Sequence, residues 1–221
     1  MKEILPGIYL QEGKRKRLLT RNLIPGKKAF QEYLHNINGT EYREWNPTRS
    51  KLAAGLVKGA KLPAINEGST VLYLGAASGN TVSYMSDILG PEGMVFAVEF
   101  SPKVTRYLVY LAESRPNIAP VLADARYPEK YLPFVLQSDF MFQDIAQREQ
   151  VEIFLRNARL FLKKGGYCAL ALKARSIDVA EMPKKLFIAA KAQLQKELIV
   201  HDMIALEPFE KDHALFVCQK K

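Results

Sequence analysis

From residue 69 onward, apolar positions alternate between short continuous runs and longer stretches of helical period. The runs are Thr70–Leu74, Met94–Phe100, Ile118–Ala123, Asp139–Phe142 and Tyr167–Ala174. Each is apolar across successive residues, as parallel strands covered on both faces should be. Between them, Thr81–Leu89, Pro102–Glu113 and Gln147–Leu162 read as helices, with Gly165-Gly166 as the expected stop of the last. A helix near Pro183–Glu197 then precedes two strands, Leu198–Leu206 and His213–Cys218, close enough to form a hairpin. The pattern predicts an α/β fold: a Rossmann-like, mostly parallel seven-stranded sheet with an antiparallel C-terminal hairpin strand.

The first 46 residues have a different character. Ile4–Leu10 and Arg17–Leu23 are candidate strands, punctuated by Pro6-Gly7, Glu12-Gly13, Pro25-Gly26 and Asn38-Gly39. So small a piece cannot bury much core alone, so it is expected to pack on the rest of the chain. A helix then begins, with Asn46 as its expected cap, Pro47 in its first turn, and apolar positions at Leu52, Ala53, Leu56, Val57 and Ala60. The expected division is a small β-rich N-terminal domain, 1–46, and an α/β domain, 47–221.

Composition narrows the class. The 221 residues are 48% hydrophobic and 25% charged, the balance of a globular chain. Apolar runs such as Leu52–Val57 and Cys168–Leu172 are too short to span a bilayer, and Met1–Leu10 lacks the apolar stretch of a signal peptide. A cytoplasmic protein with no membrane partner is expected. Cys168 and Cys218 sit in apolar runs without metal-ligand spacing and read as small buried thiols. Net charge is +9, and residues 1–51 carry 11 Lys and Arg against 5 Glu, densest at Lys14–Arg17. Such a balance favours an anionic partner, although a basic run by itself is more often a solvated face.

Candidate chemistry clusters at the predicted strand ends. The strand Val71–Leu74 runs into Gly75-Ala76-Ala77-Ser78-Gly79-Asn80-Thr81 and a helix, where open α/β sheets bind ligands. The turn lacks the middle glycine of G-x-G-x-x-G, which argues against a dinucleotide pyrophosphate. Glu99 ends the second strand, where a carboxylate can accept both ribose hydroxyls of an adenosine while the Phe100 ring lies against adenine. Asp124-Ala125 ends the third strand, where a carboxylate can accept from the adenine amino group. Each acid alone has a plainer reading as a loop or cap. Three successive strand ends with this series point to S-adenosyl-L-methionine, which carries no phosphate.

Asp144 follows the fourth strand, Lys173 ends the fifth, and Lys211-Asp212-His213 opens the last; Lys51 stands at the start of the first helix. Topology brings these groups toward one point. A methyl transfer to a ribose 2′-hydroxyl needs help in removing its proton, and a lysine near a second cation can act as base. Lys173 is the candidate base, Asp144 its orienting group, and Lys51 and His213 the groups that position the ribose or tune the charge. Singly, Lys51 reads equally well as a surface lysine and His213 as a packed strand residue.

Tyr42-Arg43-Glu44-Trp45-Asn46-Pro47-Thr48-Arg49-Ser50-Lys51-Leu52-Ala53-Ala54 resembles the signature of the fibrillarin family. Val71–Gly79, Gly90–Gly93, Val98–Ser101, Asp124–Arg126, Asp144–Gln147 and Lys211–Ala214 continue the resemblance in order, from about residue 40 to the C-terminus. It implies the S-adenosylmethionine-dependent methyltransferase fold and the catalytic subunit of a box C/D ribonucleoprotein. Such a subunit methylates 2′-hydroxyls of guide-selected nucleotides in rRNA and tRNA. The implied partners are a guide RNA, a Nop-type scaffold protein and, through these, a kink-turn-binding ribosomal-type protein. The implied cofactor residues are Gly75, Ala76, Asn80, Thr81, Glu99, Phe100, Asp124, Ala125 and Asp144 with Ile145, Ala146 and Gln147. The family's catalytic set falls on Lys51, Asp144, Lys173 and His213, with no metal.

The turn carries Asn80 where the family usually has the first of two threonines. The Gly/Arg-rich N-terminal tail of eukaryotic members has no counterpart here, which likens the chain to the archaeal type. Three other readings stay open: a stand-alone RNA 2′-O-methyltransferase, a small-molecule O-methyltransferase, and a non-catalytic assembly subunit.

Overall fold

A computed structural model describes residues 1–13, 16–63 and 65–221. The expected basic cluster therefore falls partly outside the described residues, at Lys14 and Arg15.

The N-terminal segment folds as a five-stranded antiparallel sheet of β1 (Lys2–Leu5), β2 (Ile8–Gln11), β3 (Arg17–Arg21), β4 (Leu34–Ile37) and β5 (Thr40–Glu44), ordered β1-β2-β3-β5-β4. The expected strand Ile4–Leu10 is instead a hairpin, because Pro6-Gly7 turns the chain and Gly7 adopts a left-handed φ of 72°. Asn38 and Gly39, both at positive φ, turn β4 back into β5.

Next comes α1 (Lys51–Val57). Its cap is Ser50, not Asn46: the Ser50 hydroxyl accepts from Ala53 N–H. Asn46 instead closes the preceding turn, its side-chain carbonyl accepting from both Thr48 N–H and Thr48 Oγ1.

The remaining elements are β6 (Thr70–Leu74), α2 (Asn80–Leu89), β7 (Met94–Glu99), α3 (Pro102–Ser114), β8 (Ile118–Leu122), β9 (Ser138–Gln143), α4 (Gln150–Phe161), β10 (Leu162–Lys173), α5 (Ala174–Ile177), α6 (Pro183–Gln195), β11 (Leu198–Ala205) and β12 (His213–Lys220). The strands order as β11-β12-β10-β9-β6-β7-β8, and β12 alone runs antiparallel to its neighbours. Gly165-Gly166 does not stop a helix: α4 ends at Phe161, and the glycines lie within β10 where its register against β9 shifts.

Alternation along the central strands builds two cores. Val71 and Tyr73 of β6 face one side with Trp45, Leu52 and Met85; Leu72 and Leu74 face the other with Phe154, Leu155 and Leu194. Ala169 and Ala171 of β10 join the first core, and Cys168, Leu170 and Leu172 the second. Both cysteines are buried and unbridged.

The two sheets meet across α2. Asp87, with a fully buried side chain, accepts from Arg43 Nη1 at 2.7 Å, Arg115 Nη1 at 2.7 Å, Thr20 Oγ1 at 2.8 Å and Leu23 N–H at 3.0 Å. Glu32 completes the network at 2.7 Å from Arg43 Nε. Burial works against these charges. The Arg43 charge outweighs it and holds the Glu32 carboxyl below its usual range; Asp87 and Glu32 in turn hold the Arg43 guanidinium above its own. Among the described residues, no helix is long and apolar enough to cross a membrane.

Candidate active site

A cleft of about 400 Å³ opens at the carboxyl ends of β6, β7, β8 and β9. Its floor is the turn after β6, where Gly75, Ala77 and Gly79 all take positive φ. Gly75 allows the closest approach: a Cβ there would stand 2.3 Å from the Asp144 carbonyl oxygen. The turn is pinned from β7. Glu99, 7% exposed, accepts from Ala77 N–H through Oε2 and from Ser101 N–H through Oε1, both at 3.0 Å. The carboxylate is thereby aimed along the cleft wall with lone pairs still free.

Asp124, just beyond the end of the neighbouring strand β8, also lines the cleft and is gripped by Arg126, whose Nη2 donates at 2.6 Å and whose backbone N–H donates at 2.9 Å. The Arg126 side-chain hydrogen bonds hold the Asp124 carboxyl below its usual range, in spite of partial burial. Apolar walls come from Val98, Ala125 and Ile145, and the Phe100 ring stands 67% exposed at the cleft. Val98, Ala77 and Arg126 stood in the sequence motifs without a role, and Ala123 only ended an expected strand; Arg126 adjoins Asp124 there, and the three apolar residues carry no chemical signal.

Of the expected cofactor residues, Gly75, Glu99, Phe100, Asp124, Ala125 and Asp144 through Gln147 line this cleft, while Ala76, Asn80 and Thr81 do not. Ala76 is buried beneath the turn. Thr81 Oγ1 donates to Ser50 Oγ at 3.0 Å, tying α2 to the cap of α1. Asn80 faces a second, smaller cleft.

The four expected catalytic residues come from four elements at one end of the sheet. Lys51 Nζ lies 2.9 Å from Asp144 Oδ2. Asp144 is fixed in turn by its N–H, which donates to the Leu74 carbonyl at 2.9 Å. Lys173 sits directly opposite His213 in the β10–β12 ladder. The Lys173 backbone is clamped by Gln150, which accepts from Lys173 N–H and donates to its carbonyl, both at 3.0 Å. His213 is buried, and its Nδ1 lies 2.6 Å from the Lys211 carbonyl. A carbonyl only accepts, so Nδ1 carries a proton, and Nε2 has no hydrogen-bond partner among the described residues. The partner of Asp144 is Lys51, where the sequence suggested Lys173. Among the described residues, no group of three or more His, Cys, Asp and Glu side chains is placed to hold a metal.

A sequence model of the family described as Fibrillarin matches residues 1–221. The chain belongs to the fibrillarin family. It is 48% identical over 221 residues to the fibrillarin-like rRNA/tRNA 2′-O-methyltransferase of Thermococcus onnurineus, covering 99% of this chain and 98% of that one. The fold is similar to Aeropyrum pernix fibrillarin in complex with natively bound S-adenosyl-L-methionine, with TM-score 0.88, 46% identity, and 96% of this chain and 94% of that one covered. It is also similar to a fibrillarin solved in a fibrillarin/Nop5p complex, with TM-score 0.89, 37% identity and both chains fully covered. Family membership extends the resemblance over the first 40 residues, where the sequence signal was weak. In this fibrillarin chain, those residues are the sheet that grips α2 through Asp87.

Proposed function

We propose that this chain is the catalytic subunit of a box C/D guide ribonucleoprotein. It moves a methyl group from S-adenosyl-L-methionine to the 2′-hydroxyl of guide-selected nucleotides in rRNA and tRNA, a reaction of the EC 2.1.1 class. The observation that carries the reading is the Lys51–Asp144 ion pair, whose Asp144 lines the same cleft as Glu99 and Asp124, with Lys173 and His213 opposite each other in the β10–β12 ladder.

The cleft fits the cofactor in its donor set. Carboxylates stand on two walls, at the spacing of successive strand ends, with an exposed aromatic ring and apolar surface between them. Glu99 would hold the ribose hydroxyls, Asp124 the adenine amino group and Phe100 the adenine face. Asp144, with Ile145, Ala146 and Gln147 beside it on the cleft wall, would be the acidic group offered to the cationic sulfonium. Ala76, Asn80 and Thr81 would reach only the methionine end, around the turn. When bound, the cofactor supplies an electrophilic methyl on a sulfonium.

The chain's own residues do the rest. Lys173 would take the 2′-hydroxyl proton, its backbone held in place by Gln150. The Lys51–Asp144 pair fixes a cation beside the developing oxyanion, which favours charge as it forms. The free Nε2 of His213 can accept a ribose hydroxyl hydrogen. The scaffold partner is a Nop-type protein, with the guide RNA and a kink-turn-binding ribosomal-type protein completing the particle in the cytoplasm.

The test is transfer of labelled methyl to RNA, with the chain alone and with guide RNA and both partner proteins. Transfer only in the complete mixture, abolished by a 2′-O-methyl already on the target, is expected. Equal transfer by the lone chain would point to a stand-alone enzyme. Cofactor binding without transfer in either mixture would leave an assembly subunit.

A further inference from the structure

A second cleft, of about 90 Å³, lies between the N-terminal sheet and the head of α2, and is lined by Tyr33, Glu44, Asn46, Arg49, Asn80 and their neighbours. It adjoins the reaction centre. Arg49 stands two residues before Lys51, and the intervening Ser50 is hydrogen-bonded to Thr81, next to Asn80. We infer that this cleft is the subsite for a nucleotide of the target RNA strand flanking the methylated one, with its base on Tyr33 and its phosphate on Arg49. The inference rests on the RNA methyltransferase reading and adds to it the path of the substrate strand.

The side chains and size of the cleft favour a single-stranded nucleotide. The Tyr33 ring is 65% exposed, an aromatic surface with no ring partner among the described residues. Aromatic side chains displayed next to a cation are how proteins hold unpaired bases, because every base offers a π face. The two acids at the cleft are already matched. Glu32 holds Arg43 at 2.7 Å and accepts from Ala29 and Phe30 N–H, and Glu44 meets His35 Nε2 at 2.9 Å. By contrast the exposed Arg49 guanidinium has no ion pair among the described residues, and it is the cleft's free charge. The Asn46 carbonyl is taken up by Thr48, so its amide N–H group is left to donate toward the cleft. The small volume suits a phosphate and sugar edge, with the base resting outside on the ring.

A target strand whose 2′-hydroxyl is at Lys51 must also place its neighbouring phosphate nearby, and Arg49, two residues before Lys51 in the chain, is a cation available to it. Phe30 and the buried Tyr84 also line the cleft, but at about 90 Å³ it is too small to seat the several anchor side chains of a stable protein interface.

The experiment compares wild type with Tyr33→Ala, Tyr33→Phe, Arg49→Ala and the double alanine variant, all assembled with guide RNA and partner proteins. All these side chains are exposed, so the fold is not at stake. Tyr33→Ala is expected to raise the KM for target RNA by about 5- to 100-fold, the range for loss of one base stack. Tyr33→Phe should restore it. Arg49→Ala should raise KM and lessen its salt dependence by about one released ion. The KM for S-adenosylmethionine should not move. An unchanged RNA KM in the double variant, with wild type active, overturns the subsite alone. Reduced particle assembly with an unchanged RNA KM would assign the cleft to a protein partner and also overturns it. A wild type that methylates no RNA overturns the function, and this subsite with it.

Discussion

Lys51 Nζ and Asp144 Oδ2 lie 2.9 Å apart, although 93 positions separate the two residues in the chain. One opens α1 and the other follows β9, so the pair joins the first helix to the centre of the seven-stranded sheet at the carboxyl end of β9. Both side chains keep partial access to solvent, at 20% and 26% exposure. They can therefore reach a substrate as well as each other.

Replacing Asp144 by Asn should slow methyl transfer by about 10- to 100-fold, the rate equivalent of a charge-assisted hydrogen bond worth about 1.5–3 kcal/mol. Lys51→Ala should do likewise. If the two act as a unit, the double variant loses little beyond either single one. Single-turnover rates at saturating cofactor measure this, and additive losses would dissolve the pair as a functional unit.

Glu99 serves both the turn and the proposed ribose. Glu99→Ala should weaken cofactor binding at least tenfold by calorimetry and also lower Tm, since Ala77 and Ser101 N–H lose their acceptor. Glu99→Gln keeps one acceptor oxygen and should retain more of the Tm than of the affinity. An equal loss of both would reduce Glu99 to a structural residue.

Gly75→Ala separates contact from backbone strain. A Cβ would stand 2.3 Å from the Asp144 carbonyl oxygen, on a backbone with φ of +77°. Gly26 has a similar φ of +82° and nothing within 4 Å, so Gly26→Ala carries the strain alone. Strain at such a position costs roughly 1 kcal/mol or more. Differential scanning calorimetry should show a clearly larger Tm drop for Gly75→Ala, with cofactor affinity lost only there.

The buried network predicts an acid limb in the stability curve. The Arg43 charge overrides burial and lowers the Glu32 carboxyl from its ordinary 4.5, so the folded state binds fewer protons than the unfolded one. Its stabilisation is therefore complete above about pH 4.5 and lost as pH falls through the lower folded value. Thermal melts from pH 7 downward should show Glu32→Gln less stable near neutrality and shallower in acid. Parallel curves for variant and wild type would remove Glu32 from that limb.

Much of this was legible in the sequence, for reasons that differ by element. The strand Thr70–Leu74 and the start of α3 at Pro102 coincide with their expected bounds, because continuous apolar runs and a proline-led helix are local signals. Glu99, Asp124 and Asp144 were found at strand ends because topology alone places those ends at the ligand side. The N-terminal strands were read less well. Pairs of four residues carry too little periodicity, and Pro6-Gly7 divided what looked like one strand. The Ser50 cap was hidden behind Asn46, which offers the same chemistry four residues earlier.

Residue order alone was enough for the α/β alternation and the family, and it supplied the four side chains proposed to be reactive. These depend on residue type and short-range order, which the chain records directly. It took the folded chain to reveal that Asp144 pairs with Lys51, that Gln150 clamps Lys173, and that Asn80 faces a second cleft beside Tyr33 and Arg49. Each of these depends on where separate elements come to rest, and packing of the two cores against one twisted sheet settles that position, not any local pattern.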